Sequence, residues 1–306
     1  MLTAPIRWKK WLPEFILLAG IWGSSFYFLK IAAQDIGIIP TAWFRVAIAS
    51  IFLLLIVWKQ KKSLQLKNNL PQILFVGTLN SGIPFVCYSF AVLSISTGLS
   101  SMLNATTPLF GALVAWLWLK EKPSAWRLMG LILGFGGATL LALSMPGGIS
   151  FKAGGTGWAV LACLVATSCY ALSGSYTQRN LQSIPALVTA TGSQIGATLL
   201  LLIPVVVYWP DLWPSNQTIA ALLLVGVFCS GVAYVLYFRL INLLGSTKAL
   251  SVTYLIPVCS TWLGVVALDE VVTIWSVASA VLILIGTAMT TGLLKASYRA
   301  NKPNAN

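Results

Sequence analysis

The sequence predicts an all-α integral membrane protein with ten transmembrane helices, arranged as two inverted repeats of five helices. Three observations lead to this prediction: an apolar composition, basic residues confined to alternate loops, and an internal repeat. Hydrophobic residues make up 58% and charged residues 8% of the 306 positions, and the mean hydropathy is +0.87. A soluble domain carries about 25% charged residues, so most of this chain cannot face water.

Ten apolar segments are each long enough, at about 20 residues, to cross a bilayer. The segments are 12–33, 39–58, 71–92, 97–119, 125–144, 157–177, 184–208, 217–242, 247–268 and 273–294. The first segment is too long for the apolar part of a signal peptide and has no convincing cleavage site, so we expect it to remain uncleaved. The first five segments form a predicted domain at 12–144, and the last five form a second at 157–294.

Basic residues separate into alternate loops when ten crossings are assumed. Only Lys152 lies clearly in an outer loop, although Lys30 is near an outer helix end. The inner set is Arg7, Lys9, Lys10, Lys59, Lys61, Lys62, Lys67, Lys120, Lys122, Arg127, Arg179, Lys295, Arg299 and Lys302. This bias follows the positive-inside rule and predicts a cell (inner) membrane protein with both termini in the cytoplasm. The same rule accounts for the net charge of +13, so we expect a lipid bilayer and no nucleic acid as partner.

An internal repeat appears when the sequence is shifted by 149 positions. The aligned pairs, which need no gap, are Gly77 and Gly226, Ser81 and Ser230, Gly82 and Gly231, Val86 and Val235, Tyr88 and Tyr237, Pro108 and Pro257, Leu119 and Leu268, Glu121 and Glu270, and Trp126 and Trp275. The shift crosses five segments, an odd number, so the second copy is predicted to be inverted. Inverted repeats are typical of secondary transporters, with a substrate site near the membrane midplane where the repeats meet.

Short motifs within this repeat resemble those of a known family. Trp22-Gly23-Ser24-Ser25-Phe26 lies in the first segment, Thr107-Pro108-Leu109 in the fourth, and Lys120-Glu121 follows it. In this order they resemble the drug/metabolite transporter superfamily, and within it the EamA-type exporters, over about residues 12–294. The resemblance implies transport of amino acids or other small metabolites, often outward, and does not identify a substrate.

Two prolines mark the candidate binding region. Pro108 lacks an N–H and disrupts acceptance by the carbonyl of Asn104, and Pro257 does the same to the carbonyl of Thr253. Inside a membrane such carbonyls must be satisfied by protein, water or ligand. Two interpretations follow: kinks sealed by neighbouring helices, or helix breaks that line a central cavity.

Aromatic and polar side chains near these breaks complete the predicted substrate site. A polar ligand that leaves water must recover its hydrogen bonds, and aromatic rings would hold its apolar part. The predicted substrate-binding residues are Trp22, Ser25, Tyr88, Asn104, Thr107, Tyr237, Thr253 and Tyr254. The glycines that recur in the repeat have a simpler explanation, since small residues let membrane helices approach closely.

Two of the arginines inside the predicted segments, Arg45 and Arg239, need an explanation. Arg239 is close to the cytoplasmic end, where its long side chain can reach the interface. Arg45 is about two turns from the outer end of its segment, and two interpretations stay open: pairing with Asp35, or facing the cavity mouth.

The residue types needed for most enzyme chemistry are missing. The chain has no histidine, and its acids (Glu14, Asp35, Glu121, Asp211, Asp269 and Glu270) lie at or near the ends of apolar segments. The five cysteines fall inside those segments and are expected to be buried small hydrophobes. Because no paired acids, Cys/His set or phosphate loop remains, we expect a protein that is not an enzyme and has no cofactor or metal.

The sequence therefore predicts a secondary transporter, a facilitator or exchanger that acts as an exporter. Its expected partner is a small neutral or zwitterionic metabolite, amino acids first, moved by alternating access of a central cavity; the protein itself is expected to be a monomer or homodimer. The alternative is a non-transporting receptor or scaffold. A scaffold would have no use for paired mid-membrane prolines, and the loops are too short for a soluble domain.

Overall fold

A computed structural model describes residues 8–60, 66–118, 120–145, 147–244, 249 and 251–294, and every regular element among them is helical. The helices are α1 (Trp8–Ile36), α2 (Ile38–Lys59), α3 (Leu66–Gly77), α4 (Ile83–Ser94), α5 (Thr97–Asn104), α6 (Thr107–Leu117), α7 (Ala125–Leu143), α8 (Thr156–Asn180), α9 (Ala186–Leu200), α10 (Leu202–Val207), α11 (Asn216–Leu223), α12 (Ala233–Leu244), α13 (Ile256–Leu268) and α14 (Ile274–Thr291). A π-helical turn, Thr78–Gly82, joins α3 to α4, and a second, Leu224–Val232, joins α11 to α12. A 3₁₀ turn, Ser251–Tyr254, precedes α13.

Eight continuous helical stretches of the described residues are long and apolar enough to cross a membrane. They are Trp11–Ile36, Ile38–Lys59, Asn69–Ser94, Ala125–Leu143, Thr156–Asn180, Asn216–Tyr237, Ser251–Leu268 and Ile274–Thr291. A helix satisfies its backbone hydrogen bonds internally, which lipid requires. The chain is therefore a multi-pass helical membrane protein, and the predicted fold class holds at this level.

The other two predicted segments, 97–119 and 184–208, are interrupted rather than continuous. A turn at Ala105 and Thr106 separates α5 from α6, directly before Pro108. Leu201 separates α9 from α10, three residues before Pro204. In both places a proline cannot donate to the carbonyl four residues earlier, so the helix ends and starts again. The sequence predicted the break at Pro108, whereas the prediction of one continuous helix at 184–208 was wrong at Leu201.

Several helix starts recur after 149 residues. α6 begins at Thr107 and α13 at Ile256, each one residue before a proline. α7 begins after Ser124, whose side chain accepts from a backbone N–H, and α14 begins after Thr273, which does the same. The two π-helical turns also overlap at this spacing. The same local backbone therefore occurs twice in the chain.

The turns that end α6 and α13 share an uncommon backbone conformation. Lys120 has a φ of 61° and Asp269 a φ of 52°, and within the described part these are the non-glycine residues with positive φ. The next residue closes the same hydrogen bond in each copy: Glu121 N–H donates to Ala115 at 3.1 Å, and Glu270 N–H donates to Gly264 at 3.1 Å. This left-handed turn costs energy for residues with a side chain, so its recurrence shows that both copies need the same sharp reversal.

Glycines permit the closest helix contacts. A side chain at Gly286 of α14 would collide with the backbone of α7 at Gly130 and Gly134, so these two helices touch backbone to backbone. Gly77 packs in the same way against the backbone of Ser193 of α9, whereas Gly226 packs against the side chain of Ile48 of α2. The stripe of repeated glycines is therefore a packing surface.

The largest buried cluster among the described residues lies where α1, α4, α5, α7, α8, α14 and the second π-helical turn meet. It includes Phe26, Tyr88, Leu103, Leu141, Cys163 and Ile283. All five cysteines are free thiols; Cys163, Cys169 and Cys229 are buried as expected, whereas Cys87 and Cys259 are half-buried.

Some sequence predictions fall outside the described residues. They concern Leu119, the start of the segment at 247–268, and the basic residues Arg7, Lys61, Lys62, Lys295, Arg299 and Lys302.

Candidate functional site

A hydrogen bond joins two of the predicted substrate residues. The Tyr88 hydroxyl on α4 donates to Asn104 Oδ1, at the end of α5, over 2.9 Å. The Tyr88 ring lies edge-on to Phe26 at 5.4 Å and stacks on Tyr170 at 6.2 Å between centroids. Tyr88 is buried and Asn104 is half-buried. The hydrogen-bonded pair is therefore a polar site beside the cluster of aromatic rings.

The helix break at Pro108 is partly sealed by its own segment. The hydroxyl of Thr107 donates to the carbonyl of Asn104 over 2.7 Å. This is the carbonyl for which the sequence left open a partner in the protein, water or a ligand. The protein supplies a partner, because a hydroxyl one residue before the proline replaces the missing N–H.

The second aromatic contact connects α1 with α12. The rings of Trp22 and Tyr237 lie 5.2 Å apart between centroids, and both side chains are half-buried. Ser25 is buried nearby, and its hydroxyl donates to the carbonyl of Trp22 over 2.7 Å. Trp22 contacts both this group and the cluster around Tyr88, so α1 connects the two aromatic groups.

Two predicted substrate residues lie shortly before Pro257. Thr253 and Tyr254 both lie in the 3₁₀ turn before α13. The Tyr254 hydroxyl is 3.1 Å from the hydroxyl of Thr291 at the end of α14, and its ring makes no described contact with the aromatic groups around Trp22 and Tyr88. Trp22 and Ser25 lie on α1, Tyr88 and Asn104 lie on helices that pack against α1, and Thr107 bonds to Asn104. Tyr237 contacts Trp22, and the 3₁₀ turn that carries Thr253 and Tyr254 packs against α1 and α13.

A second polar group, which was not predicted from the sequence, lies at the π-helical turns. Arg45 Nε on α2 donates to the Ser230 hydroxyl over 2.9 Å, and Gln194 Nε2 on α9 donates to the Ser81 hydroxyl over 2.8 Å. These four residues are buried. Both serines lie in π-helical turns, and such turns are frequent at functional sites. The recurrence of Ser81 and Ser230 was visible in the sequence, whereas Gln194 gave no signal on its own.

Two further side chains extend this polar group. Asn80 Nδ2 donates to the Tyr234 hydroxyl over 2.9 Å. The side chain of Tyr234 also lies beside Ser81 and Gln194, and it is within electrostatic range of the Arg45 guanidinium. The group therefore runs between the two π-helical turns, from Arg45 on one side to Gln194 on the other.

The environment of Arg45 excludes one of the two sequence interpretations. Its guanidinium carbon lies 3.7 Å from the centre of the Phe85 ring, and the side chain is 6% exposed. The predicted partner Asp35 instead accepts from the backbone N–H of Ser215 over 2.9 Å. Pairing of Arg45 with Asp35 was therefore wrong: Asp35 lies at the end of α1 and turns toward the start of α11.

A carboxylate closes one end of the bundle. Glu270 accepts from Lys30 Nζ over 2.9 Å and from the backbone N–H of Thr97 over 2.9 Å, at the first turn of α5. Burial disfavours its charge, but the hydrogen bonds from Thr97 and Lys30 outweigh that effect, so the pKa of the Glu270 carboxyl lies below its usual value. Its repeat counterpart Glu121 is exposed, and no described residue bonds to its carboxylate. A shallow cavity beside Glu270 is lined by Ser96, Leu99, Met102, Thr261 and Ser276.

Comparison with known proteins adds three findings. The model of the EamA-like transporter family matches twice, at residues 10–143 and 157–292. A Bacillus subtilis protein named "Uncharacterized transporter YoaV" is 24% identical over 274 residues, which cover 89% of this chain and 93% of that protein. A Streptantibioticus cattleyicolor protein named "Probable terminal-alkyne amino-acid exporter" is 23% identical over 262 residues, covering 81% and 84%.

The fold also has a solved counterpart. A protein of known crystal structure, with 17% sequence identity to this chain, superposes on it with a TM-score of 0.67. The alignment covers 96% of this chain and 99% of the other chain. At this identity the match establishes a shared fold.

Proposed function

Because the chain belongs to the EamA-like transporter family, we propose that it is a secondary transporter of small metabolites, with amino acids as its first class of substrate. In this proposal it acts as a facilitator or exchanger that exports its substrate by alternating access of a central cavity. The family and the relatives are transporters, not enzymes. The name of the Streptantibioticus relative, an amino-acid exporter, supports the choice of substrate class.

The proposed architecture is ten crossings in two inverted repeats, at 12–144 and 157–294. Its support is the second occurrence of helix starts, left-handed turns and π-helical turns after 149 residues, together with the two matches to the family model. The interrupted pairs α5–α6 and α9–α10 each cover enough residues for one crossing at about 1.5 Å per residue. Ten crossings and the distribution of lysine and arginine favour cytoplasmic termini and a cell (inner) membrane.

One observation carries the proposed mechanism: buried polar side chains meet between the halves of an apolar bundle. Arg45 of the first half bonds to Ser230 of the second, and Gln194 of the second bonds to Ser81 of the first. Polar groups inside a membrane are costly and typically mark a substrate pathway. An interface that holds them together, and that both halves share, is suited to open toward either side in turn.

We propose that the substrate binds between these polar groups and the aromatic groups of α1. The proposed contacts remain Trp22, Ser25, Tyr88, Asn104, Thr107, Tyr237, Thr253 and Tyr254, beside the breaks at Pro108 and Pro257. Asn104, which is half-buried, and the buried Tyr88 offer a hydrogen-bonded polar pair, and Trp22 with Tyr237 offers an aromatic wall. A receptor or scaffold would gain nothing from such a buried polar interface, so transport is the better explanation.

Transport by the purified protein in liposomes tests the proposal. Liposomes preloaded with pooled radiolabelled neutral amino acids should release at least one of them faster than liposomes without protein, and external unlabelled solute should accelerate release if exchange occurs. The Tyr88→Ala variant, inserted to the same level, should be slower. If no pooled amino acid or other small metabolite leaves faster than from empty liposomes, the transport proposal is wrong.

A further inference from the structure

Arg45 is a buried positive charge whose bonding capacity is mostly unused. Its side chain is 6% exposed, and among the described residues its guanidinium makes one hydrogen bond, from Nε to Ser230. The ion pairs of the described part are Lys30 with Glu270 and Arg239 with Glu14, so no described acid neutralises Arg45. A guanidinium has five N–H donors, and Nη1 and Nη2 donate to none of the described residues.

A buried, unpaired charge is strongly unfavourable unless it is needed. The Phe85 ring, 3.7 Å away, attracts the cation, but it does not satisfy the donors of the two terminal nitrogens. The stability of the fold therefore does not explain the positive charge of Arg45.

The repeat supplies an internal comparison. Gln194 lies 149 residues after Arg45 and makes the equivalent bond, to Ser81 at 2.8 Å. A neutral amide is thus sufficient to hold α9 against its π-helical turn. The same contact between α2 and Ser230 does not require a charge, so the positive charge at position 45 is an addition to the structural role.

Gln194 also presents an unused group. Its side chain is fully buried, and its Oε1 has no hydrogen-bond partner among the described residues. Oε1 is an acceptor, whereas the free groups of Arg45 are donors. Tyr234 lies beside Gln194 and within electrostatic range of Arg45, so the unused donors and the unused acceptor belong to the same polar group.

We propose that Arg45 binds the carboxylate of the transported solute, and that a free carboxylate is therefore required for recognition. This inference rests on the proposed transport function and narrows its substrate class. The two terminal nitrogens of an arginine match the two oxygens of a carboxylate, and such paired, charge-assisted bonds are strong. Gln194 Oε1 is the unpaired acceptor of the same polar group, and its chemistry suits the amino group of an amino acid. Arg45 was absent from the substrate residues predicted from sequence.

Matched solutes test the requirement without any variant. Leucine and phenylalanine should compete for exchange in liposomes at least about tenfold better than leucinamide and phenylalaninamide, because each amide keeps the amino group and side chain but lacks the carboxylate. Equal competition by acids and amides would overturn the proposal while leaving the transport function intact.

Variants then assign the effect to Arg45. Arg45→Gln installs the residue found at the equivalent position of the other repeat, so the bond to Ser230 can persist. We expect it to lose the preference for the acids by about tenfold or more, whereas Arg45→Lys should retain part of it. The matched control is Arg239→Gln, an arginine that is exposed and paired with Glu14, which should keep the preference of the parent. An acid preference that survives in Arg45→Gln would contradict the assignment.

A binding measurement separates this inference from transport. Phenylglyoxal, which modifies arginine, should react with Arg45 in the detergent-solubilised full chain, and leucine should protect that residue while leucinamide should not; peptide mass spectrometry identifies the site. If the parent moves none of the solutes, the transport proposal fails, and this protection still decides whether Arg45 binds carboxylates. Equal modification with either solute would refute the binding role.

Discussion

Arg45 and Gln194 hold equivalent positions in the two halves of the chain, and each bonds to a serine of the opposite half. Each donates from its side chain to a serine of the other half, over 2.9 Å and 2.8 Å. The two serines, Ser230 and Ser81, are themselves 149 residues apart and lie in the two π-helical turns. The halves are therefore joined by reciprocal bonds that are alike in geometry but differ in charge.

The arrangement of the halves predicts the sidedness of the loops. In a background without the five native cysteines, a cysteine at position 67 or 301 should react with an impermeant thiol reagent from the cytoplasmic side. A cysteine at position 215 should react from the outer side, because an odd number of crossings separates 67 from 215. Labelling in intact cells and inverted vesicles measures this. Reaction of positions 67 and 215 from the same side would contradict ten crossings.

The bond between Tyr88 and Asn104 should matter for transport. Tyr88→Phe removes the hydroxyl and leaves the ring against Phe26 and Tyr170, and we expect about fivefold weaker transport, in line with the net value of a hydrogen bond of about 1 kcal/mol. Asn104→Ala should have at least as large an effect. The matched control is Tyr176→Phe, because Tyr176 packs its ring against Phe75 and its hydroxyl has no described bond. If correctly inserted Tyr88 and Asn104 variants transport at the parental rate, the substrate binds elsewhere.

The carboxylate of Glu270 should stabilise the protein, and that of Glu121 should not. Glu270→Gln removes the charge that pairs with Lys30, whose side chain is 19% exposed. We expect a loss of about 1 kcal/mol in the free energy of unfolding, seen as a lower unfolding temperature in detergent. Glu121→Gln changes an exposed carboxylate without a described partner and should unfold like the parent. Equal effects of the two substitutions would show that the bond to Lys30 and Thr97 contributes nothing measurable.

The same contact predicts a pH dependence. The pKa of Glu270 is lowered from its ordinary value of 4.5 in the folded protein. A lowered pKa gives a stabilisation that is fully present above the unfolded value and is lost as the pH falls through the folded value. The difference in unfolding temperature between the parent and Glu270→Gln should therefore be constant from about pH 6 to 8 and shrink below about pH 4. A difference that grows as the pH falls would have the wrong sign.

Transport should not depend on a buried proton-carrying acid. Glu14 pairs with Arg239 over 2.7 Å, and the Arg239 side chain is 63% exposed, so this pair lies at the edge of the bundle. Proton relays in membranes use acids or histidines within the bundle. We expect Glu14→Gln to transport within about twofold of the parent, with Arg239→Gln as control. Uphill accumulation driven by a pH gradient and abolished in Glu14→Gln would falsify this expectation.

The sequence was most informative where local chemistry controls the backbone. The proline at 108 predicted a break, and the helix does end and restart there. The break at Leu201 was missed, because Pro204 was taken as part of a continuous apolar segment although proline acts on the carbonyl four residues earlier. At Asn104 the prediction found the right atom and missed its partner, since a threonine hydroxyl can replace an N–H at short range.

Contacts between residues that are far apart in the sequence were harder to predict. Arg45 and Ser230 are 185 positions apart, and no spacing rule for a single helix connects them. The nearest acid in sequence, Asp35, was a plausible partner by proximity alone, and it bonds to Ser215 instead. Gln194 was overlooked because the repeat was aligned by identity, whereas glutamine resembles arginine only in the hydrogen bond that it donates.

The π-helical turn at Thr78–Gly82 controls the direction in which the rest of its helix faces. Such a turn is equivalent to one extra residue inserted into an α-helix. Without it, every later side chain of α4 would rotate by about 100° around the helix axis, and Tyr88 would point away from Asn104. The length of this helix and the orientation of its functional face are therefore coupled, so that deletion of a single residue from the turn would redirect the face without unfolding the helix.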